Sequence, residues 1–131
     1  MSEGKVLVVD DEAEVRKSVR LILSKAGYEV VEAEDGEAGV RAIKRGDNPF
    51  ALGAIICDLN MPKMGGMEAI TYFRFHFPQA SVIVLSAEVT SERAGVLLAQ
   101  GVSNILSKPI DQEKLLAAVQ EGVRRGGSKN Q

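Results

Sequence analysis

Short apolar runs that stop abruptly on polar residues recur along this chain, and they constrain its fold more than any other feature. Val6-Leu7-Val8-Val9 runs into Asp10-Asp11-Glu12. Ala54-Ile55-Ile56-Cys57 stops on Asp58, and Val82-Ile83-Val84-Leu85 on Ser86. Apolar runs of this length, bounded by turn signals, read as buried strands. The expected strands are residues 5–9, 28–33, 54–57, 81–86 and 104–107. The last is the weakest by composition, and Lys108-Pro109 ends it.

Helical spacing fills the intervals. Val15, Val19, Ile22, Leu23 and Ala26 share one face of a helix expected from Glu12 to Ala26, with Gly27 as its stop. Asp35 is placed to cap a helix from Gly36, which the breakers Gly46-Asp47-Asn48-Pro49 should close. Met61 to Gly66 reads as a loop. The helix after it buries Met67, Ile70 and Phe73 and breaks at Pro78. A helix over 91–100 carries Gly95 inside it, at a cost of ~1 kcal/mol against alanine, and should be among the less stable. Asp111 caps a last helix with Leu115, Leu116, Val119 and Val123 inward. Residues 126–131 read as a flexible tail or the start of a linker, leaving 1–125 as the single domain.

Strand and helix alternate five times. That pattern implies an α/β fold with a parallel sheet covered on both faces, and the nearly continuous apolar strands agree. At 131 residues, 45% of them apolar, the chain suits one globular domain. A formal charge of −2 gives no argument for nucleic acid or a membrane surface. No apolar run approaches the ~20 residues of a membrane span. Cys57 is the only cysteine, so no intramolecular disulfide forms, and a reducing cytoplasm fits.

In parallel sheets of this kind, ligands sit outside the carboxyl ends of the strands. Asp10, Asp11, Asp58, Ser86 and Lys108 all close strands at that edge. Carboxylates crowded in one crevice repel unless a cation intervenes. Oxygen-only ligands favour a hard ion such as Mg²⁺, and no zinc-type cluster of His and Cys exists here. A carboxylate can also attack phosphorus to form an aspartyl phosphate. Such transfer needs positioning and charge neutralisation, which Mg²⁺ and Lys108 would supply, with Ser86 as a hydroxyl donor. Singly, each residue also fits an ordinary role: a solvated turn for Asp10-Asp11, a turn residue at Asp58, a loop hydroxyl at Ser86, a surface charge at Lys108. Their joint arrival at one edge favours the phosphate reading.

Five segments carry a family resemblance: Val9-Asp10-Asp11-Glu12, Asp58-Leu59-Asn60-Met61-Pro62, Met64-Gly65-Gly66, Ser86-Ala87-Glu88 and Lys108-Pro109. Over about Lys5 to Val123 the chain resembles a chemotaxis-type response-regulator receiver domain of two-component signalling. The resemblance implies a three-layer α/β/α sandwich with a flavodoxin-like strand order 2-1-3-4-5. It implies Asp58 as phosphoacceptor, Asp11 as a direct Mg²⁺ ligand, Asp10 as a ligand acting mostly through water, and Asn60 as a ligand through its main-chain carbonyl. Ser86 matches the switch hydroxyl, Lys108 the lysine that pairs with the phosphoryl group, and Lys108-Pro109 a peptide bond that is usually cis. Asn60 and Glu88 match two positions that tune dephosphorylation. The implied donor is a phosphohistidine on a sensor histidine kinase or histidine phosphotransfer protein. The implied output is binding to a downstream protein, by a monomer or weak dimer that contacts neither nucleic acid nor membrane. Such a domain catalyses its own phosphotransfer and autodephosphorylation in a phosphorelay, without being an enzyme in the usual sense. One position departs from the family: Ile105 stands where Tyr or Phe is usual. An aliphatic side chain cannot exchange an exposed for a buried ring, so output is expected to run through Ser86 and the 91–100 helix.

Two other readings remain open from the residues. One is a phosphorylation-independent, pseudo-receiver interaction module, and the other a small-ligand flavodoxin-like domain, for which no phosphate loop is recognisable. The absence of an effector segment after the last helix suits a single-domain regulator or a piece of a longer protein. Cys57 is expected to be a buried small hydrophobe facing away from Asp58. Phe73 and Phe77 are expected in the core. Tyr72 and Phe75 are expected to pack in the core or at its rim, with partner binding as the alternative.

Overall fold

The computed structural model describes residues 3–46, 48–61 and 64–129. The chain alternates β1 (Gly4–Val9), α1 (Ala13–Lys25), β2 (Tyr28–Ala33), α2 (Gly36–Ile43), α3 (Asn48–Ala51), β3 (Leu52–Cys57), α4 (Gly66–His76), β4 (Ser81–Ser86), α5 (Ser91–Ala99), β5 (Asn104–Ser107) and α6 (Gln112–Lys129). The five strands form one parallel sheet in the order β2-β1-β3-β4-β5. The expected flavodoxin-like order is therefore present.

Side chains alternate between sheet faces along a strand, and the core divides accordingly. Val6, Val8, Ala54, Ile56, Ile83 and Leu85 pack with Val19 and Leu23 of α1 and Leu115, Ala118 and Val119 of α6. Leu7, Val9, Ile55, Cys57, Val82 and Val84 pack on the other face with Ile43 of α2, Ile70 and Phe73 of α4 and Leu97 of α5. Cys57 is fully buried there as expected, and burial pushes its thiol pKa up. The inner strands are the most completely buried, β4 throughout its length. β5, at the edge, is half-buried.

Local signals explain most boundaries. The main-chain N–H of Gly27 donates to the Ser24 carbonyl after α1, and Gly27 takes a φ of +98° that suits a glycine stop. The N–H of Ala38 donates to Asp35 Oδ1 at 2.8 Å, and that of Lys114 to Asp111 Oδ1 at 3.1 Å, so both expected caps form.

Three expectations need correction. Ala26 is the exposed C-cap of α1 rather than part of its inner face. Of the breakers before β3, Asp47 lies outside the described residues, and Asn48 and Pro49 belong to a helical turn, Asn48–Ala51, rather than to a loop. Pro49 falls in its first turn, where a missing N–H leaves no helical bond unmade. Buried Asn48 ties that turn down: its Nδ2 donates to the Ala42 carbonyl at 2.6 Å, and its Oδ1 accepts from Lys5 Nζ at 2.7 Å. Finally, the segment from Gly126, expected as a tail, is helical through Lys129, since extending an existing helix needs no new nucleus. Of the expected 61–66 loop, Pro62 and Lys63 lie outside the described residues, as do Asn130 and Gln131 of the tail.

Candidate functional site

The site is assembled by main-chain bonds that continue the sheet one step beyond its strands. The N–H of Asp10 donates to the Ala33 carbonyl at 3.1 Å, that of Asp58 to Val9 at 3.0 Å, and that of Lys108 to Ser86 at 2.9 Å. Each polar residue that closes a strand is thereby fixed at the carboxyl edge before its side chain makes any contact. Gly66 completes the support. A Cβ there would collide with the carbonyl of Asp58 and the backbone of Leu59, so only glycine lets α4 begin so close to the Asp58 loop.

The side chains converge on Lys108. Its Nζ lies 2.9 Å from Asp10 Oδ2, 2.8 Å from Glu12 Oε1 and 3.2 Å from Asp58 Oδ2. Asp10 and Asp58 are buried, whereas Asp11 and Glu12 are exposed. Burial raises the Asp10 pKa, against the opposing pull of the Glu12 N–H and of Lys108. Burial alone would lower the Lys108 pKa, but its bonds to Glu12 and Asp10 and the charges of Asp10 and Asp58 prevail and raise it. The lysine is therefore a fixed cation among acids at neutral pH.

The other expected residues close or follow strands at the same sheet edge. The N–H of Asn60 donates to Asp58 Oδ1 at 3.2 Å, and the Asn60 side chain is exposed. Ser86 is 1% exposed, and its Oγ has no hydrogen-bond partner among the described residues. A buried hydroxyl without a partner is costly, and such an atom calls for a functional explanation. Glu88 is exposed in the loop after β4. The Lys108–Pro109 peptide is cis, as the resemblance implied.

The donor set fits a hard divalent cation. Asp10, Asp11, Glu12 and Asp58 can each offer one carboxylate oxygen with all four atoms within 4.8 Å of one another. Every donor is oxygen, as Mg²⁺ requires.

Two residues at the site escaped the sequence reading. Glu12 stood in the acidic run but its bond to Lys108, 96 residues away, had no local signal. Arg16, a charged residue among the apolar positions of α1, had no local signal either. Its Nη1 donates to the Asp10 carbonyl at 2.6 Å while its Nε lies 3.4 Å from Glu32 Oε1, so it anchors the end of β1 to α1 and β2.

The aromatic group late in α4 stands apart from the Lys108 contacts. Phe73 is buried and Phe77 half-buried, Tyr72 packs against the core, and Phe75 is 79% exposed rather than packed at the rim. His76 lies against Tyr72 with ring centroids 4.2 Å apart.

Known proteins resemble this chain in sequence and in fold. A family model described as "Response regulator receiver domain" matches residues 6–120. Response regulator MprA of Mycobacterium leprae is 37% identical over 122 residues, covering 92% of this chain and 51% of that protein. Transcriptional regulatory protein GlrR of Escherichia coli K12 is 32% identical over 120 residues, covering 92% of this chain and 26% of that protein. The chain thus spans between a quarter and a half of the length of these relatives. Among solved structures, chemotaxis protein CheY4 of Vibrio cholerae superposes with a TM-score of 0.80 at 32% identity, covering 90% of this chain and 97% of that one. A receiver domain protein of Clostridium thermocellum reaches 0.87 at 26% identity, covering 95% and 98%. Matched over nearly its whole length in sequence and sharing its fold with solved receivers, the chain belongs to the response regulator receiver domain family of two-component signalling.

Proposed function

We propose that the chain is a phosphorylation-controlled switch in which Asp58 accepts a phosphoryl group from a phosphohistidine of a sensor histidine kinase or histidine phosphotransfer protein. The observation that carries this reading is the Lys108 ammonium seated on the buried carboxylates of Asp58 and Asp10 within the four-acid cluster. An oxygen of Asp58 forms the new bond to phosphorus as the bond from phosphorus to the donor imidazole breaks. The histidine leaves with its nitrogen lone pair restored. Bound Mg²⁺, held by Asp10, Asp11, Asp58 and the main-chain carbonyl of Asn60, would neutralise the carboxylates and the phosphoryl oxygens. Lys108 keeps one proton on Asp10 and turns another to a phosphoryl oxygen, and the unpaired Ser86 hydroxyl gains an acceptor. Asn60 and Glu88 occupy the positions that tune how fast water removes the phosphoryl group.

The readout is a shift between two conformations. Ser86 ends β4, and the chain then leads into α5, which only Leu97 anchors with a fully buried side chain. Ile105 packs half-buried against the α5 side of the core. No ring is present there to turn inward, so the shift runs through Ser86 and α5 to a protein partner. No helix among the described residues is long and apolar enough to cross a membrane, and the lone buried cysteine suits a reducing cytoplasm.

The test is NMR with Mg²⁺ and either acetyl phosphate or beryllofluoride. Shifts around Asp58, Ser86 and α5 are expected, and Asp58→Asn should abolish them. Unchanged spectra, with Asp58→Asn behaving as wild type, would instead favour a phosphorylation-independent interaction module.

A further inference from the structure

An ammonium group has three protons to donate. On Lys108 they meet three carboxylates, and these are not equivalent. The side chains of Asp10 and Asp58 are 3% and 4% exposed, but that of Glu12 is 60% exposed. Glu12 is also the one of the three to which the proposed function gives neither a metal nor a phosphoryl role. Nor does it serve its own helix. It stands at the N-cap of α1, where a short polar side chain would accept a bond from the first turn, yet it makes no side-chain cap bond. Its main-chain N–H is held by Asp10 Oδ1 at 2.9 Å, which fixes its stem while the carboxylate reaches across to Lys108.

A phosphoryl oxygen arriving at Asp58 needs a donor from Lys108, so one of the three existing bonds must open. Releasing Asp10 would strand a buried carboxylate without its cation, which is costly. Releasing Glu12 returns an exposed carboxylate to water. Resting on the phosphoacceptor reading, we propose that Glu12 is a positioning residue that occupies the third proton of Lys108 until a phosphoryl oxygen displaces it. It holds the ammonium at the site in the resting state, and it competes with the phosphoryl group for that ammonium. Glu12 thereby raises the threshold for activation.

The experiment is titration of the full chain with beryllofluoride at fixed saturating Mg²⁺, followed by NMR, for wild type, Glu12→Gln and Glu12→Asp. An exposed ion pair is weak, so both variants should bind beryllofluoride about two- to five-fold more tightly than wild type. Glu12→Asp keeps the charge but withdraws it by one methylene, so it separates contact from field. The gain should shrink at high salt, where exposed charges are screened. In wild type, the Glu12 side-chain carboxyl carbon should shift on beryllofluoride binding as the carboxylate passes into water. Tighter binding by Glu12→Gln with Glu12→Asp equal to wild type would mean a general charge effect and overturn the proposal. Equal binding by all three proteins would overturn it too, while leaving the phosphoacceptor reading intact. If neither wild type nor Glu12→Gln binds beryllofluoride, that reading falls and this proposal with it.

Discussion

Helices α1 and α6 on one face of the sheet and α5 on the other are not equally committed to it. α1 and α6 bury Val19, Leu23, Leu115, Ala118 and Val119, and α1 also reaches the site through Arg16 on the Asp10 carbonyl. On the opposite face α5 buries one side chain fully, Leu97, and leaves Val96 46% and Leu98 55% exposed. The site lies on the seam between them. Its acids and Lys108 are tied to the firmly packed side. Its Ser86 hydroxyl, without a partner among the described residues, closes the strand that leads into the loosely packed α5. A switch needs such asymmetry, because a segment held by few buried contacts opens at low free-energy cost while the rest of the domain stays folded.

Truncating matched leucines tests the contrast most directly. Leu115→Ala should lower global stability by ~2–5 kcal/mol in denaturant unfolding. Leu97, equally buried, should cost less than ~2 kcal/mol, because α5 can detach without the remaining core. Equal losses would break the comparison.

A smaller effect is expected on the firm side, where burial holds the Asp10 pKa above its ordinary value. A carboxyl whose folded pKa is raised favours the folded state below its unfolded value of 3.8, and that contribution is lost as pH rises through the folded pKa. At neutral pH the buried charge is therefore a net cost. Asp10→Asn in metal-free buffer should raise the thermal midpoint at pH 7, and the gain should fade as pH approaches 3.8. A midpoint that falls at pH 7 would show that the bond to Lys108 outweighs burial.

On the loose side, Gly95→Ala should stabilise α5 by up to ~1 kcal/mol, since a Cβ there meets nothing within 4 Å. Hydrogen exchange should slow in α5 and stay unchanged in α1 and α6. The same variant should weaken coupling between phosphorylation and partner binding. Ile105→Tyr should move stability least, by under ~0.5 kcal/mol, because the position is half-buried at the sheet edge. If it leaves phosphorylation and partner binding both unchanged, the missing ring carries no functional weight.

The strands were legible because parallel strands buried on both faces are nearly continuous in apolar residues, and the edge chemistry followed from where those runs stop. Even the weak 104–107 strand is present, pairing Ile83–Ser86 with Asn104–Ser107. What the sequence hid depends on side chains meeting across the fold. The turn at Asn48–Ala51 persists among breakers because the Asn48 amide reaches Ala42 and Lys5. Glu12 and Arg16 looked like ordinary charges on a helix that is polar on one side. Only the folded chain brings Lys108 to Glu12, and the Asp10 carbonyl and Glu32 to Arg16. Phe75 differs from its expected rim position for a related reason: α4 turns Phe73 into the core and leaves Phe75 facing outward.

Gly66 carries a consequence for genetics. It has no functional group, donates only a main-chain bond to the Leu59 carbonyl, and yet even a methyl there would strike the loop that bears Asp58. A saturation screen scored on signalling would rank it beside Asp58, the proposed phosphoacceptor, and invite the conclusion that it takes part in the chemistry. Its intolerance would report the space it leaves empty.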